Sequence, residues 1–325
     1  MVRDPISHKN VKFFYYAKGS FLEALRQLGH KKPREQMARL VGSLDSSVLE
    51  KRLAYYNKLQ PFSGIDKSGV LIGDLELPRK NKAYYFDLIE FTRYFPDTCR
   101  INYLFGDITK VPENPTVLKS RPIQGENSNS VLYKFNRIRH YTFANDRIPY
   151  EKKKNILIGR ANVKQEHRRE FLRKYFEHPM CDLGQINSGT KHDQWLKKKI
   201  SINDHLRYKF IWSQEGYDVA SNLKWIMSSN SIAVMPNPKY ETWFMEGMLQ
   251  PDVHYIALKD DFSDLEERLN YYMEHKSEAL QIIANANAYV KKFRNPKMEK
   301  ALRYLVLDKY FVQSGQLKPM FPKWY

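Results

Sequence analysis

The chain has 325 residues, of which 42% are hydrophobic and 14% aromatic, so it can build real cores and is not a disordered chain. Its 54 Lys+Arg against 36 Asp+Glu give a formal net charge of +18, which points to an anionic partner. Two cysteines without metal-ligand neighbours, Cys99 and Cys181, exclude a disulfide scaffold and a zinc module, and no apolar run approaches the ~20 residues that cross a bilayer.

The opening residues Met1-Val2-Arg3-Asp4-Pro5 lack the apolar core of a secretory signal, which with the cysteine usage leads us to expect a cytoplasmic protein. Residues 11–60 read as helices, with Phe21, Leu22, Leu25 and Leu28 on one stripe and Val48, Leu49, Leu53 and Tyr56 on another. Gly64, Asp66 and Gly69 mark a turn before a short strand at Val70-Leu71-Ile72-Gly73. A helix is expected from Tyr84 to Phe95, stopped by Pro96, and a strand over 101–105. The region holding Pro112, Pro115 and Pro122 reads as loop. Beyond it, strands over 155–159, 209–213, 231–235 and 254–258 alternate with helices over 165–176, 219–229, 263–274 and 277–293. Such alternation implies a parallel sheet wrapped by helices. We place one boundary near 150, giving segments 1–150 and 151–325.

The charge is concentrated. Residues 119–174 hold 15 Lys/Arg against 5 Asp/Glu, whereas 241–278 hold 10 acids against 3 bases. Three groups of residues could use or supply such a field. In the first, Gln214 to Trp225 runs from a strand through a glycine turn toward a helix. A phosphate beside Gly216 would meet free N–H groups and the positive end of the helix dipole. There Glu215 could accept bonds from a sugar hydroxyl and Lys224 could add positive charge, while for Asp218 or Ser221 an N-cap is the commoner role. The second is Gly159-Arg160 at a strand end, followed by Arg168 on the next helix, where a guanidinium fork suits phosphate. Asp107, after the 101–105 strand, is the third: either a general base or a turn aspartate. The sequence has no G-x-x-x-x-G-K-[ST] loop, G-x-G-x-x-G fingerprint or G-x-S-x-G elbow, and Asp74-Leu75-Glu76 is its nearest approach to D-x-D.

The run Lys209-Phe210-Ile211, Glu215-Gly216-Tyr217-Asp218-Val219-Ala220-Ser221-Asn222-Leu223-Lys224-Trp225 and Ser228-Ser229-Asn230-Ser231 resembles glycosyltransferase family 90. The likeness continues through Glu241-Thr242-Trp243-Phe244, His254-Tyr255-Ile256 and Asp260-Asp261-Phe262-Ser263-Asp264-Leu265, and is closest to the family's short bacterial branch. The resemblance implies an α/β, GT-B-type architecture: two Rossmann-like lobes with a cleft between them, preceded here by extra N-terminal helices. It also implies inverting, metal-independent transfer with no cofactor beyond a UDP-sugar co-substrate. Asp107, ahead of Val111-Pro112, matches the family's base. Gly159, Arg160, Arg168, Glu215, Gly216, Asp218, Ser221, Asn222 and Lys224 match its donor side. The family's aromatic-Arg-Gly strand end reads Ile158-Gly159-Arg160 here, and Asn222 stands where secretory members carry Arg. Neutralising the diphosphate should then fall to Lys224 and Arg160. The implied acceptor is lipopolysaccharide core or another anionic envelope glycan, reached by peripheral contact with an anionic membrane. The rival readings are a nucleic-acid-binding protein, which the pI near 9.6 suggests and no motif supports, and an inactive sugar-nucleotide binder.

Overall fold

The computed structural model describes residues 8–63, 65–189 and 191–324, so Met1–Pro5 and the turn residue Gly64 lie outside the described residues. It divides into two compact units, one comprising the chain to Arg139 together with Asn295 onward, the other His140–Arg294.

In the first unit, α1 (His8–Gln27), α2 (Glu35–Gly42), α3 (Ser46–Tyr56) and the short α4 (Ile65–Ser68) occupy the helical region. Then come β1 (Val70–Leu71), α5 (Lys82–Thr92), β2 (Arg100–Ile101), β3 (Thr116–Leu118), β4 (Ser120–Pro122) and β5 (Ser130–Leu132), with the short α6 (Arg137–His140) at the junction. Within this unit β1 pairs antiparallel with β2, and β3 pairs parallel with β5. These pairs, two or three residues long, stand where a Rossmann-like sheet was expected. The prolines of this region keep strands short, since each removes a ladder donor.

The α1 stripe also differs from expectation. Leu22 is buried, but Phe21 and Leu28 face solvent. The reason is Gly19: a Cβ there would lie 2.4 Å from the Phe86 ring, so α1 docks on α5 through its glycine rather than through the larger side chains. Tyr15 adds a hydrogen bond to the Ala83 carbonyl at 2.9 Å.

The second unit holds β6 (Lys154–Ala161), α7 (Glu166–Tyr175), β7 (Cys181–Gln185), the four-residue α8 (Ile202–His205), β8 (Tyr208–Trp212), α9 (Leu223–Ile226), β9 (Ile232–Pro236), β10 (Tyr240–Thr242), β11 (Ile256–Leu258), α10 (Leu265–Glu274) and α11 (Lys276–Lys291). Five strands form one sheet in the order β11-β9-β8-β6-β7, every pair parallel. Leu157, Phe210, Val234 and Ile256 are buried in it, covered by Phe171 and Leu172 of α7 and by Leu265 and Leu269 of α10. Numbered by appearance, this is 2-1-3-4-5, a doubly wound order whose direction reverses between β6 and β8. Gly159 sits at the centre, where a Cβ would come 2.8 Å from Trp212.

A twelfth helix, α12 (Pro296–Gln313), returns to the first unit, whereas the cut near 150 had assigned it to the other segment. Asn295 caps it, its Oδ1 accepting from the amides of Lys297 and Met298, with Pro296 in the first turn. Its buried face carries charge that binds the N-terminal helices. Glu299 accepts from Arg52 at 2.7 Å and from Lys134 at 2.6 Å, Asp308 pairs with Arg34 at 2.6 Å, and Arg303 pairs with Glu90 at 2.9 Å. Removing one partner of such a buried pair leaves a charge without its counterion. Glu299→Ala should therefore lower unfolding free energy by ~3–5 kcal/mol in a denaturant titration. A loss below about 1 kcal/mol, typical of surface pairs, would show that the network holds nothing together.

Candidate active site

Ligands in doubly wound sheets bind at the carboxyl ends of the strands, beside the point where strand order reverses. The second unit has a cavity of about 230 Å³ there. The segments after β8 and β9 form its walls with Gln214, Glu215, Tyr217, Asn237, Lys239 and Tyr240, and His167, Asp260 and Phe262 complete it.

The segment after β8 is not the helix start that was expected. Of the 219–229 helix only Leu223–Ile226 forms, so no helix N-terminus faces Gly216. Side chains hold the intervening backbone instead. Arg168 donates through Nη2 to the Gln214 carbonyl at 2.7 Å, through Nε to the Glu215 carbonyl at 2.9 Å and through Nη1 to the Asn162 carbonyl at 2.8 Å. His167 Nε2 contacts the Glu215 carbonyl at 2.9 Å. Asn222 ties the far end back to β8, its Nδ2 donating to the Trp212 carbonyl at 2.9 Å while its Oδ1 accepts from Ser213 at 3.1 Å. The Gly216 amide donates to the Asp218 carbonyl at 2.8 Å.

The Glu215 carboxylate accepts from the backbone amides of Lys239 and Tyr240, both at 3.0 Å, and so joins the two walls. Burial pushes its pKa up from 4.5 to about 7, with the carboxylates of Glu246 and Asp218 adding to the rise against the two amides. Near neutrality it can accept or donate a proton, which suits hydrogen bonding to a hydroxyl or phosphate oxygen.

The other donor-side residues fall into two groups. Asp218 is buried, and Ser221 lies half-buried in the same loop. Neither caps α9, whose N-cap is Asn222. Lys224 requires correction: its ammonium is fully buried, 2.5 Å from Glu246 and over the Phe244 ring, so it balances an internal carboxylate instead of offering charge to a ligand. Arg160 is likewise engaged, with Asp182 Oδ1 at 2.9 Å and the Asp182 carbonyl at 2.7 Å. Gly159 serves sheet packing. More broadly, much of the basic 119–174 stretch is internal: Lys119, Arg121, Lys134 and Lys153 are all buried. A long helix or an arginine at a strand end was inferred from spacing, but spacing does not reveal which partner claims a cation.

Asp107 belongs to the first unit. It follows Gly106, whose φ of +117° suits glycine. The expected strand shrinks to Arg100–Ile101 plus a parallel bridge from Tyr103 to Val117, leaving Asp107 exposed in a loop. Its Oδ1 forms an ion pair with the buried Lys119, which orients the carboxylate, and Ser120 hydrogen-bonds both the amide and the carbonyl of Ile108 at 3.1 and 3.0 Å. Sequence reasoning missed Lys119 and the Lys239–Tyr240 amides. The last had a signal, since Pro236 and Pro238 fix the carboxyl end of the strand adjoining β8. Among the described residues, no group of three or more His, Cys, Asp and Glu is arranged to hold a metal ion, and no helix is long and apolar enough to cross a membrane.

Two predictions follow from this geometry. Because the Glu215 carboxyl is raised in the folded state, its stabilising contribution is present below about pH 4.5 and is lost as pH rises through about 7. Relative to Glu215→Gln, the parent should therefore lose stability between about pH 5 and about pH 8, and parallel stability curves would contradict the assignment. Lys224→Met should destabilise the fold by ~3–5 kcal/mol, because Glu246 is left buried without its counter-charge. A stable variant with specifically weakened nucleotide affinity would restore Lys224 to the donor site.

Residues 134–321 match glycosyl transferase family 90. The chain is 42% identical over 267 residues to O-glucosyltransferase LpsA of Dichelobacter nodosus, covering 82% of this chain and 83% of that protein. It is 32% identical over 96 residues to protein O-glucosyltransferase 2 of Danio rerio, covering 28% of this chain and 19% of that one. Against protein O-glucosyltransferase 1 of Rattus norvegicus it is 22% identical over 152 residues, 44% of this chain and 38% of that one. It thus spans well under half the length of these two animal relatives. With an α/β parallel sheet, a cavity at its carboxyl edge and a bacterial relative aligned over most of both chains, the protein belongs to glycosyl transferase family 90 and is a glycosyltransferase.

Proposed function

We propose that the protein moves a hexose, with glucose the first candidate, from a UDP-sugar to a hydroxyl of an anionic envelope glycan such as lipopolysaccharide core, with inversion and without a metal. The observation that carries this reading is the cavity at the carboxyl edge of the second unit's sheet, in a chain 42% identical to an O-glucosyltransferase. On this reading the second unit is the donor lobe of a GT-B-type enzyme. Glu215 bonds the donor's hydroxyls, Tyr217 offers an exposed aromatic face, and Lys239 supplies positive charge that Lys224 does not.

Transfer is a single displacement. Asp107, oriented by Lys119, takes the proton from the acceptor hydroxyl as its oxygen bonds to the anomeric carbon. The bond to the diphosphate oxygen breaks on the opposite face, and the nucleoside diphosphate leaves with the electron pair. The acceptor is anionic, and a net charge of +18 favours contact with it and with the anionic membrane that carries it.

Asp107→Asn should cut transfer from UDP-glucose by ~10²–10⁴-fold while leaving the UDP-glucose thermal shift intact. Retention of more than about a tenth of the activity would remove Asp107 as the base.

A further inference from the structure

α1 carries an apolar face that is turned away from its own unit. Phe13, Phe14 and Phe21 are 69%, 64% and 63% exposed, and Leu28, just past the helix, is 82% exposed. At 100° per residue, Phe13, Phe14, Ala17, Phe21 and Ala24 span one face about 100° wide. The opposite face, with Tyr15, Gly19, Leu22 and Glu23, docks on α5. Soluble surfaces seldom gather three phenylalanines on one outward helix face, and a contiguous apolar patch marks an interaction site.

The charge around the patch identifies the occupant. Between residues 8 and 34 there are 7 Lys/Arg and a single acid, Glu23, which is buried and engaged by Arg26; Lys18, Lys31 and Arg34 pair with Glu90, Asp97 and Asp308 from elsewhere in the chain, which leaves the segment with a positive excess. Lys18 is exposed beside the apolar face, where it also pairs with Glu90 at 2.6 Å, and Lys12 is exposed on the flank nearer the docked face. A second copy docking face to face would set this cationic segment against itself, which like-charge repulsion opposes. An anionic bilayer satisfies both features: its headgroups meet the lysines and its acyl boundary takes the aromatic rings, the arrangement of a helix lying in the interface plane.

We propose that α1 is a membrane-interfacial helix that inserts Phe13, Phe14 and Phe21 into an anionic leaflet. This rests on the membrane contact in the proposed function and deepens it, from electrostatic adhesion to insertion at a named site. Insertion leaves part of the binding resistant to salt, because apolar burial is not screened.

The test is co-sedimentation of the full chain with vesicles of zwitterionic lipid, or of the same lipid with about a third phosphatidylglycerol, at low and high salt. The wild type should pellet with the anionic vesicles and keep part of its binding at high salt. The triple variant Phe13→Ser, Phe14→Ser, Phe21→Ser should lose about tenfold or more in partitioning while keeping its thermal midpoint and its turnover of UDP-glucose. If the variant binds as well as the wild type, with salt releasing both, α1 is not the insertion site and the electrostatic contact stands. If the wild type ignores anionic vesicles altogether, both the insertion and the membrane contact fall. If light scattering finds a wild-type dimer that the variant loses, the face covers a second copy and the proposal is overturned.

Discussion

The candidate donor site depends on one guanidinium. Arg168 extends from α7 and donates to carbonyls on both sides of the sheet's reversal point, Asn162 after β6 and Gln214 and Glu215 after β8. An arginine fork at carbonyls fixes direction as well as distance. By clamping the Glu215 backbone it aims that side chain at the Lys239 and Tyr240 amides, which positions the second wall. Without the clamp, a ten-residue connection that forms no helix until Leu223 would lose its tie to the segment after β6 and rest on the His167, Asn222 and Glu215 side-chain bonds. A lysine in its place would keep the charge and lose the geometry.

The buried ions explain why so basic a protein leaves fewer cations for ligand than its sequence suggests. Lys119 serves Asp107, Lys134 serves Glu299, Lys153 serves Asp146 and Lys224 serves Glu246. The last three are desolvated pairs whose loss costs more than their formation gains, so those cations are committed to the fold. The charge available to a partner lies instead on exposed positions such as Lys12 of α1 and Lys82 of α5.

The second unit was largely legible in its sequence. β6, β8 and β9 are continuous apolar runs with both faces covered, the pattern of a parallel sheet. β7 was not, because Cys181-Asp182-Leu183-Gly184-Gln185 has poor strand propensity; it is an edge strand, and Gly184 is required there because a Cβ would come 2.6 Å from Lys197. The helix after β8 was overextended because Val219, Leu223, Ile226 and Met227 keep helical spacing, yet only four residues complete it while side-chain bonds claim the rest. In the first unit, Gly19 reset the buried face of α1, and α12 rejoined the N-terminal helices through ion pairs that periodicity cannot encode. Which of the motif residues lines the cavity depends on partners distant in sequence.

The central claim is that the donor nucleotide occupies the cavity bounded by the segments after β8 and β9. Photolabelling with 5-azido-UDP-glucose followed by peptide mapping tests it directly. The adduct should fall on peptides spanning 213–217 or 237–240 and be displaced by excess UDP-glucose. A displaceable adduct confined to Asn162, Val163, Lys164, Asn187, Ser188, Lys191 or His192, which line the separate cavity after β6 and β7, would contradict it.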